Sequence, residues 1–367
     1  MMKKYLLIPS LALLFLVSCK EKQAAPRPAV GMVYAIAADS TGVGRLVAQS
    51  GRRGGEGSVA IIGEPQSVIL LARQFQGCDR VDNVDGRPVR DSLPDFAGET
   101  FEAIMDARFA PYVRLSQSAP DSLRDAAVLN AVAAWDSLCW RSRTDVEPLL
   151  RKERAKMIIL TSSLQAQWGQ FDVDTLQQLC GGNCFVLSSV HSMLDQAYAA
   201  GARSMAVWTT RDVRSSGAWQ SVFAEKGWAD AHLTVLAPEA AVDVRTELRS
   251  LLRQYQESGR VLDALLLDAY DLDLVLLRSE LALIKAEGSL EDASFHAMLS
   301  EEFTLWDPAS SLIRTTYNTM REHHLFTHRI ARPSVHYFET AESAEGTPRL
   351  IATSAAYAHS TYVPNID

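Results

Sequence analysis

From about Ser58 onward, short apolar runs rich in β-branched residues alternate with longer segments of helical period. That alternation confines the chain to an α/β fold with mostly parallel sheets, because parallel strands need a crossover that a helix supplies. Strands are expected at residues 58–63, 157–162, 184–188, 204–209, 233–237, 263–267, 303–306 and 335–339. Helical patterns run through 123–140, 193–200, 216–226, 242–258, 271–286 and 309–323. Ahead of them, residues 32–49 read as two strands around Asp39, Ser40, Thr41 and Gly42, a hairpin. Residues 52–57 form a Gly-rich break that lacks the strand-to-helix setting and the Lys-Ser/Thr ending of a phosphate cradle. No internal repeat at solenoid periods is present.

In sheets of this kind ligands sit beyond the carboxyl ends of the strands, so the residues just after each strand are the ones to read for chemistry. Four such places stand out: Thr161, Ser162 and Ser163; Thr209 and Thr210 with Ser215, Ser216 and Gly217; Asp268, Tyr270, Asp271 and Asp273; and Asp307 with Pro308. Each cluster taken alone is equally a helix N-cap, and Asp268 and Asp271 are expected to cap the helix that begins near Asp271. Together they mark a crevice, where hydroxyls and free N–H groups at helix starts favour an anion such as a carboxylate. His323, His324 and His328 are assigned to a helix C-terminus, where the dipole favours partly charged imidazoles. No metal and no cofactor is expected.

The first residues set the location. Lys3 and Lys4 precede an almost wholly apolar run over residues 5–17, too short to span a bilayer, which needs about 20 residues, and it ends at Ser18 and Cys19. Leu16, Val17, Ser18 and Cys19 resemble the lipobox of bacterial lipoproteins, which implies cleavage before Cys19 and membrane attachment through lipid on that cysteine, since several acyl chains hold where one would not. Lys20 after the cysteine resembles the sorting signals that favour the outer membrane. Residues 20–30, rich in Gln, Ala, Pro and charge, read as a solvated tether with a reach of roughly 35 Å when extended. Removing Lys3 and Lys4 from the 36 basic residues leaves 34 against 44 acidic ones, which excludes a nucleic-acid partner or a polybasic lipid patch. Besides Cys19, the chain has Cys78, Cys139, Cys180 and Cys184, an even number in an oxidising compartment. Cys180 and Cys184 flank Gly181, Gly182 and Asn183, so a turn could join them in a disulfide or leave two free thiols. Zinc would need further ligands nearby.

From about residue 154 to 350 the order of segments resembles the aspartate/glutamate racemase superfamily, glutamate racemase most closely. The block ARSMAVWTTRDVRSSGAWQSVFAEKG, residues 202–227, looks like the family's strand, Thr-bearing loop and helix start, with Thr210, Ser216, Gly217, Ala218 and Trp219 in register. VLDALLLDAYDLDLVLL from Val261 is similar to the strand and loop that carry one catalytic cysteine, and KMIILTSSLQA from Lys156 to those that carry the other. DPASSLIRTTYNTMREHHLF with HYFET after it resembles the closing helix and last strand, including Thr340. The resemblance implies two α/β domains facing each other across a crevice: residues 58–185 and 309–367 for the first, with a helical insertion at 95–153, and 186–308 for the second. Residues 1–18 would be the signal and 19–57 the lipidated cysteine, tether and hairpin.

The departures from that family bear on activity. Its members invert an amino acid with one thiol on each face of Cα, and both thiols must ionise near neutrality. A cysteine near pKa ~8.5 does so, whereas a serine hydroxyl is far less acidic and alanine has no proton to give. Here the two positions hold Ser162 and Ala269, and Ser163, Asp271 and Val213 replace further motif residues. The Asp-Ser pair expected after the first strand falls near Gly63 and Glu64. The favoured expectation is therefore a lipoprotein of racemase-like fold, without two-cysteine activity, that binds a small carboxylate ligand or a protein partner in the crevice. Ser162, Ser163, Thr210, Ser216, Tyr270 and Asp271 are the ligand-binding candidates. Two alternatives remain: an active racemase or isomerase using substituted acid/base residues such as Asp268, Tyr270 or Asp271, and a solute-binding lipoprotein of the periplasmic two-lobed type.

Overall fold

The computed structural model describes residues 28–51, 54–83, 86–239, 243–342 and 348–363. The signal segment, Cys19 and most of the tether lie outside them. In chain order, α1 (Gly31–Ala38) and α2 (Val43–Ala48) lead into β1 (Ser58–Gly63), α3 (Pro65–Gln76) and β2 (Thr100–Met105). Next come α4 (Tyr112–Ser118), α5 (Pro120–Trp135), a short ribbon of β3 (Leu138–Cys139) and β4 (Leu150–Arg151), then β5 (Ala155–Leu160), α6 (Ser163–Trp168), α7 (Gln170–Cys180) and β6 (Phe185–Ser188). A second run follows: α8 (Ser189–Ala199), β7 (Ser204–Trp208), α9 (Arg211–Ser216), α10 (Ala218–Lys226), β8 (His232–Leu236), α11 (Val244–Gln256), β9 (Leu262–Leu267), α12 (Leu274–Lys285), α13 (Leu290–His296) and β10 (Leu299–Trp306). The chain closes through α14 (Pro308–Glu322), β11 (Ser334–Ala341), β12 (Arg349–Thr353) and α15 (Ala355–Tyr362).

These strands form two main sheets. The larger has the order β12-β11-β2-β1-β5-β6, parallel throughout except for the β11–β12 pair. The smaller, β10-β9-β7-β8, is parallel throughout. The expected α/β class with mostly parallel sheets is thus what the chain adopts. β1, β2 and β5 are buried along their whole length, as strands covered by helices on both faces must be. Their side chains alternate between two cores. Ala60, Ile62, Ile104, Ile158 and Leu160 pack with α5 and α7, whereas Val59, Ile61, Phe101, Ala103, Met105 and Ile159 pack with α3 and α14.

Three expectations are corrected. Residues 32–49 form α1 and α2 instead of a hairpin. Val33 and Val47 are buried in the core shared with α5 and α7, and the Asp39 carboxylate accepts the N–H groups of Thr41, Gly42 and Val43 at 3.2, 2.8 and 3.0 Å, which satisfies donors that open α2. Those donors hold the Asp39 carboxyl below its usual range. The segment 95–153 is not a purely helical insertion: it contains β2, which sits between β11 and β1. The helix expected over 123–140 stops at Trp135, and Leu138 and Cys139 enter the ribbon. Of the two states left open for Cys180 and Cys184, the chain has free thiols, as it does at Cys78 and Cys139. Cys180 ends α7, while the Cys184 sulfur is buried beside the carbonyls of Ala155 and Phe185 at 3.9 and 3.7 Å, so the Cys180–Cys184 disulfide is not made.

β2 carries Glu102 into this core, where Lys152 meets it at 2.8 Å and also donates to the carbonyl of Ala134. Burial pushes the Glu102 carboxyl up from 4.5 to about 7, with Lys152 opposing the rise. A carboxyl whose folded-state pKa is raised holds more protons folded than unfolded in that window. Its contribution to stability is therefore complete below the unfolded value and is lost as pH rises through the folded one. Urea midpoints measured from about pH 4 to about pH 8 should fall as pH rises across this interval, and Glu102→Gln should flatten the profile. The variant leaves Lys152 without its counter-charge, so it should also be less stable at the alkaline end. An unchanged slope would remove Glu102 as its source.

Candidate functional site

The ends of the strands carry the chemistry. The carboxyl ends of β1, β2 and β5 in the larger sheet and of β7 and β9 in the smaller sheet open into one crevice of about 650 Å³. Glu64 and Ser67 come from the start of α3, Ala107 and Pro111 from the segment after β2, and Thr161, Ser162 and Ser163 from the end of β5. Thr210 and Val213 come from the loop after β7, Asp268 to Asp271 from the loop after β9, and Tyr362 from α15. Ser162, Ser163, Thr210, Tyr270 and Asp271, five of the ligand-binding candidates, thus share one lining, as does Ala269. Ser216 does not: its hydroxyl donates to the carbonyl of Val213 at 2.7 Å and accepts the N–H of Ala218 at 3.2 Å, so it serves the α9–α10 junction.

Hydrogen bonds link the two sides of the crevice. The Ser163 hydroxyl donates to Asp268 at 2.9 Å, the Tyr270 phenol donates to the carbonyl of Thr161 at 3.0 Å, and the Gln66 amide donates to Asp271 at 3.2 Å. Ser162 and Thr210 are N-caps, of α6 and α9, accepting the N–H groups of Leu164 and Val213 at 3.3 Å each. Neither Asp268 nor Asp271 is a helix cap, which corrects that expectation. Asp273 caps α12, accepting from Val275 and Leu276 at 3.0 and 2.9 Å, because it lies one residue before the helix and Asp271 lies too early to reach those N–H groups.

Asp268 is released for another role. Its Oδ2 accepts from Ser163, from Thr209 at 2.7 Å and from the indole N–H of Trp219 at 2.8 Å. Burial nevertheless pushes its carboxyl up, the three donors opposing the rise. On the facing wall, Glu64 Oε1 accepts the N–H of Tyr112 at 3.0 Å, and its carboxyl is also raised, by burial first and then by the charges of Asp106 and Asp268. Tyr270 is pushed up by burial and stays a phenol. The lining contains no cysteine, lysine, arginine or histidine among the described residues.

Behind Glu64 lies a polar network that sequence reading missed. Asp106, at the end of β2 and fully buried, accepts from the Tyr112 phenol at 2.8 Å, the Asn130 amide at 2.6 Å, the Thr340 hydroxyl at 2.9 Å and the Phe109 N–H at 3.2 Å. The Gln165 amide in turn donates to the Tyr112 oxygen at 2.8 Å. Its trace in the sequence is short: Ala103, Ile104 and Met105 directly before Asp106, with Glu102 interrupting the apolar pattern ahead of them. Among the described residues no group of three or more His, Cys, Asp or Glu is placed to hold a metal ion, and no helix is long and apolar enough to cross a membrane.

The backbone at the carboxyl end of β1 is close-packed. A side chain on Gly63 would run into the Thr161 hydroxyl, which already bonds Ser67 at 2.9 Å. Gly63→Ala should therefore cost about 1–3 kcal/mol by overpacking, and Thr161→Ala should recover part of it, as read from urea denaturation of the single and double variants.

No protein-family model matches the chain, and no curated protein matches it. Among solved structures it is similar to glutamate racemase from Francisella tularensis subsp. tularensis SCHU S4 in complex with D-glutamate, with 11% identity over 85% of this chain and 97% of that one and a TM-score of 0.49. It is also similar to glutamate racemase isoform RacE1 from Bacillus anthracis, with 14% identity over 78% of this chain and 90% of that one and a TM-score of 0.49. Arylmalonate decarboxylase in its unliganded form shares 13% identity over 72% of this chain and 92% of that one, with a TM-score of 0.33.

Proposed function

We propose that this chain is a lipid-anchored envelope protein whose crevice binds a small polar molecule and does not perform two-thiol stereoinversion. The observation that carries this reading is the crevice lining, in which Ser162 and Ala269 stand at the ends of β5 and β9 and no cysteine is present among the described residues. The thiols lie elsewhere. Cys184 precedes β6, at the opposite end of the sheet from the crevice, and Cys78 is buried against Asp95 at 2.9 Å. Burial pushes each of these thiols up to about 12, far from the range in which it could exchange protons near neutrality. The anchor reading is supported by the apolar run that ends at Ser18 and Cys19, with Lys20 favouring the outer membrane.

The test is deuterium wash-in. Aspartate and glutamate incubated with the purified chain in heavy water should gain no α-deuterium above the protein-free control. Exchange that vanishes in Asp268→Asn would overturn the reading. Attachment is tested separately by labelled palmitate incorporation, which Cys19→Ser should abolish.

One observation favours a second reading. Glu64 and Asp268 face the same crevice from different sheets, and burial raises both carboxyls toward the range used by acid/base groups. An isomerase using this pair would exchange the α-hydrogen of its substrate with solvent, and Glu64→Gln and Asp268→Asn would each stop it. No exchange across a panel of amino acids and hydantoins would count against it.

A further inference from the structure

The charges around the crevice discriminate between ligands. Glu64, Asp268 and Asp271 are its ionisable acids, and no basic side chain lines it among the described residues. Each acid has one oxygen committed: Glu64 Oε1 to the Tyr112 N–H, Asp268 Oδ2 to Ser163, Thr209 and Trp219, and Asp271 Oδ2 to Gln66. The other oxygens of Glu64 and Asp268 accept no hydrogen bond from any described residue. They belong to opposite walls, since Glu64 follows β1 of the larger sheet and Asp268 follows β9 of the smaller one. Neither oxygen is among the buried polar atoms that lack a partner, so both reach the solvent of the crevice, where a ligand with N–H groups can take the place of water. A free carboxylate would instead bring another negative charge among three acids with no cation to receive it.

We infer that the crevice takes a small ligand bearing a protonated amine or guanidinium and no free carboxylate, held between Glu64 and Asp268. This rests on the crevice being a binding site, as proposed above, and replaces the carboxylate that hydroxyl-bearing helix starts alone suggested. Of the hydroxyls, Ser163 donates to Asp268, while Ser162 and Thr210 accept the N–H groups of their helices and keep one O–H each for a polar group of the ligand. Leu70, Val113 and Tyr362 supply apolar wall for an alkyl or aryl part. Burial raises the Glu64 and Asp268 carboxyls, and a bound cation would oppose that rise.

The experiment compares butylamine, agmatine, butyrate and butyramide on the mature chain by calorimetry, with hydrogen exchange read over residues 63–70 and 267–273. Butylamine and agmatine should bind and protect both segments, with butyrate weaker by about tenfold or more. Glu64→Gln should weaken the amines by a similar factor of about ten while leaving the thermal midpoint near that of the parent. Asp268→Asn should do the same, and if its loss of three donors' partner unfolds the chain, Glu64→Gln carries the test alone. Butyrate binding as well as butylamine, with both segments protected, would overturn the charge preference and leave the crevice reading standing. Amine binding that Glu64→Gln does not weaken would overturn it as well. Failure of all four probes to protect either segment would sink both.

Discussion

Asp172→Ala should lower the free energy of unfolding by about 3–5 kcal/mol, because it leaves a buried guanidinium with only the exposed Asp121 carboxylate, at 3.3 Å, as counter-charge. Arg124 and Asp172 are almost wholly buried, with side chains 6% and 0% exposed, and meet twice, Nε to Oδ2 at 2.6 Å and Nη2 to Oδ1 at 2.7 Å. The pair is also the point at which the N-terminal segment docks. Asp172 Oδ1 accepts the N–H of Val30 at 3.0 Å, and Arg124 donates to the carbonyl of Pro28 at 2.7 Å. From there α1 and α2 lie against α5 and α7 through Val33 and Val47. Loss of the carboxylate should therefore loosen α1 and α2 first, seen as faster hydrogen exchange over residues 30–48, with a lower urea midpoint overall. Arg124→Met combined with Asp172→Leu should recover most of the loss, since replacing both charges removes the desolvation cost along with the attraction. A single-variant loss below about 1 kcal/mol would mean that water reaches the guanidinium and that the pair does not lock the segment.

What could be read from the sequence depended on whether each segment's burial was visible in its composition. β1, β5, β7 and β9 are mostly apolar, with runs of three or more apolar residues at or near their carboxyl ends, so the sheets and the strand-end rule that located the crevice were both legible. Ser162, Ser163, Thr210, Tyr270 and Asp271 fell into one lining because that rule depends on topology alone. β2 was hidden because Thr100 and Glu102 look solvent-facing, and only the distant Lys152 makes a buried carboxyl tolerable there. With β2 unseen, Asp106 could not be placed at a strand end, so the network behind Glu64 went unread. α1 was misread for the opposite reason. GMVYAIAA has no polar side that would set a helical period, so its β-branched and aromatic residues suggested a strand. The role of Asp268 was illegible as well, because its partners Ser163, Thr209 and Trp219 come from three separate segments.

The same buried network sets the second large effect. Asp106→Ala should cost about 3–4 kcal/mol, because four donors that now converge on one carboxyl would be left inside the protein without it. Asp106→Asn should cost roughly half as much, since an amide keeps one acceptor but turns a donor toward the remaining N–H or O–H groups. The consequence reaches the crevice through Tyr112, whose phenol is held by Asp106 and Gln165 and whose backbone N–H holds Glu64 Oε1. Freed from Asp106, α4 loses one of the two side-chain contacts that fix the phenol of its first residue, which loosens the N–H that is the only hydrogen-bond donor to Glu64 among the described residues. Asp106→Ala should therefore weaken butylamine binding even at temperatures where the chain remains folded, whereas Gly63→Ala/Thr161→Ala, where β1 ends, should not disturb Tyr112. Urea denaturation, near-ultraviolet circular dichroism and calorimetry on the same samples separate these effects. An Asp106→Ala chain of reduced stability that binds amines as the parent does would show that Glu64 is positioned by its own strand end and not by the network behind it.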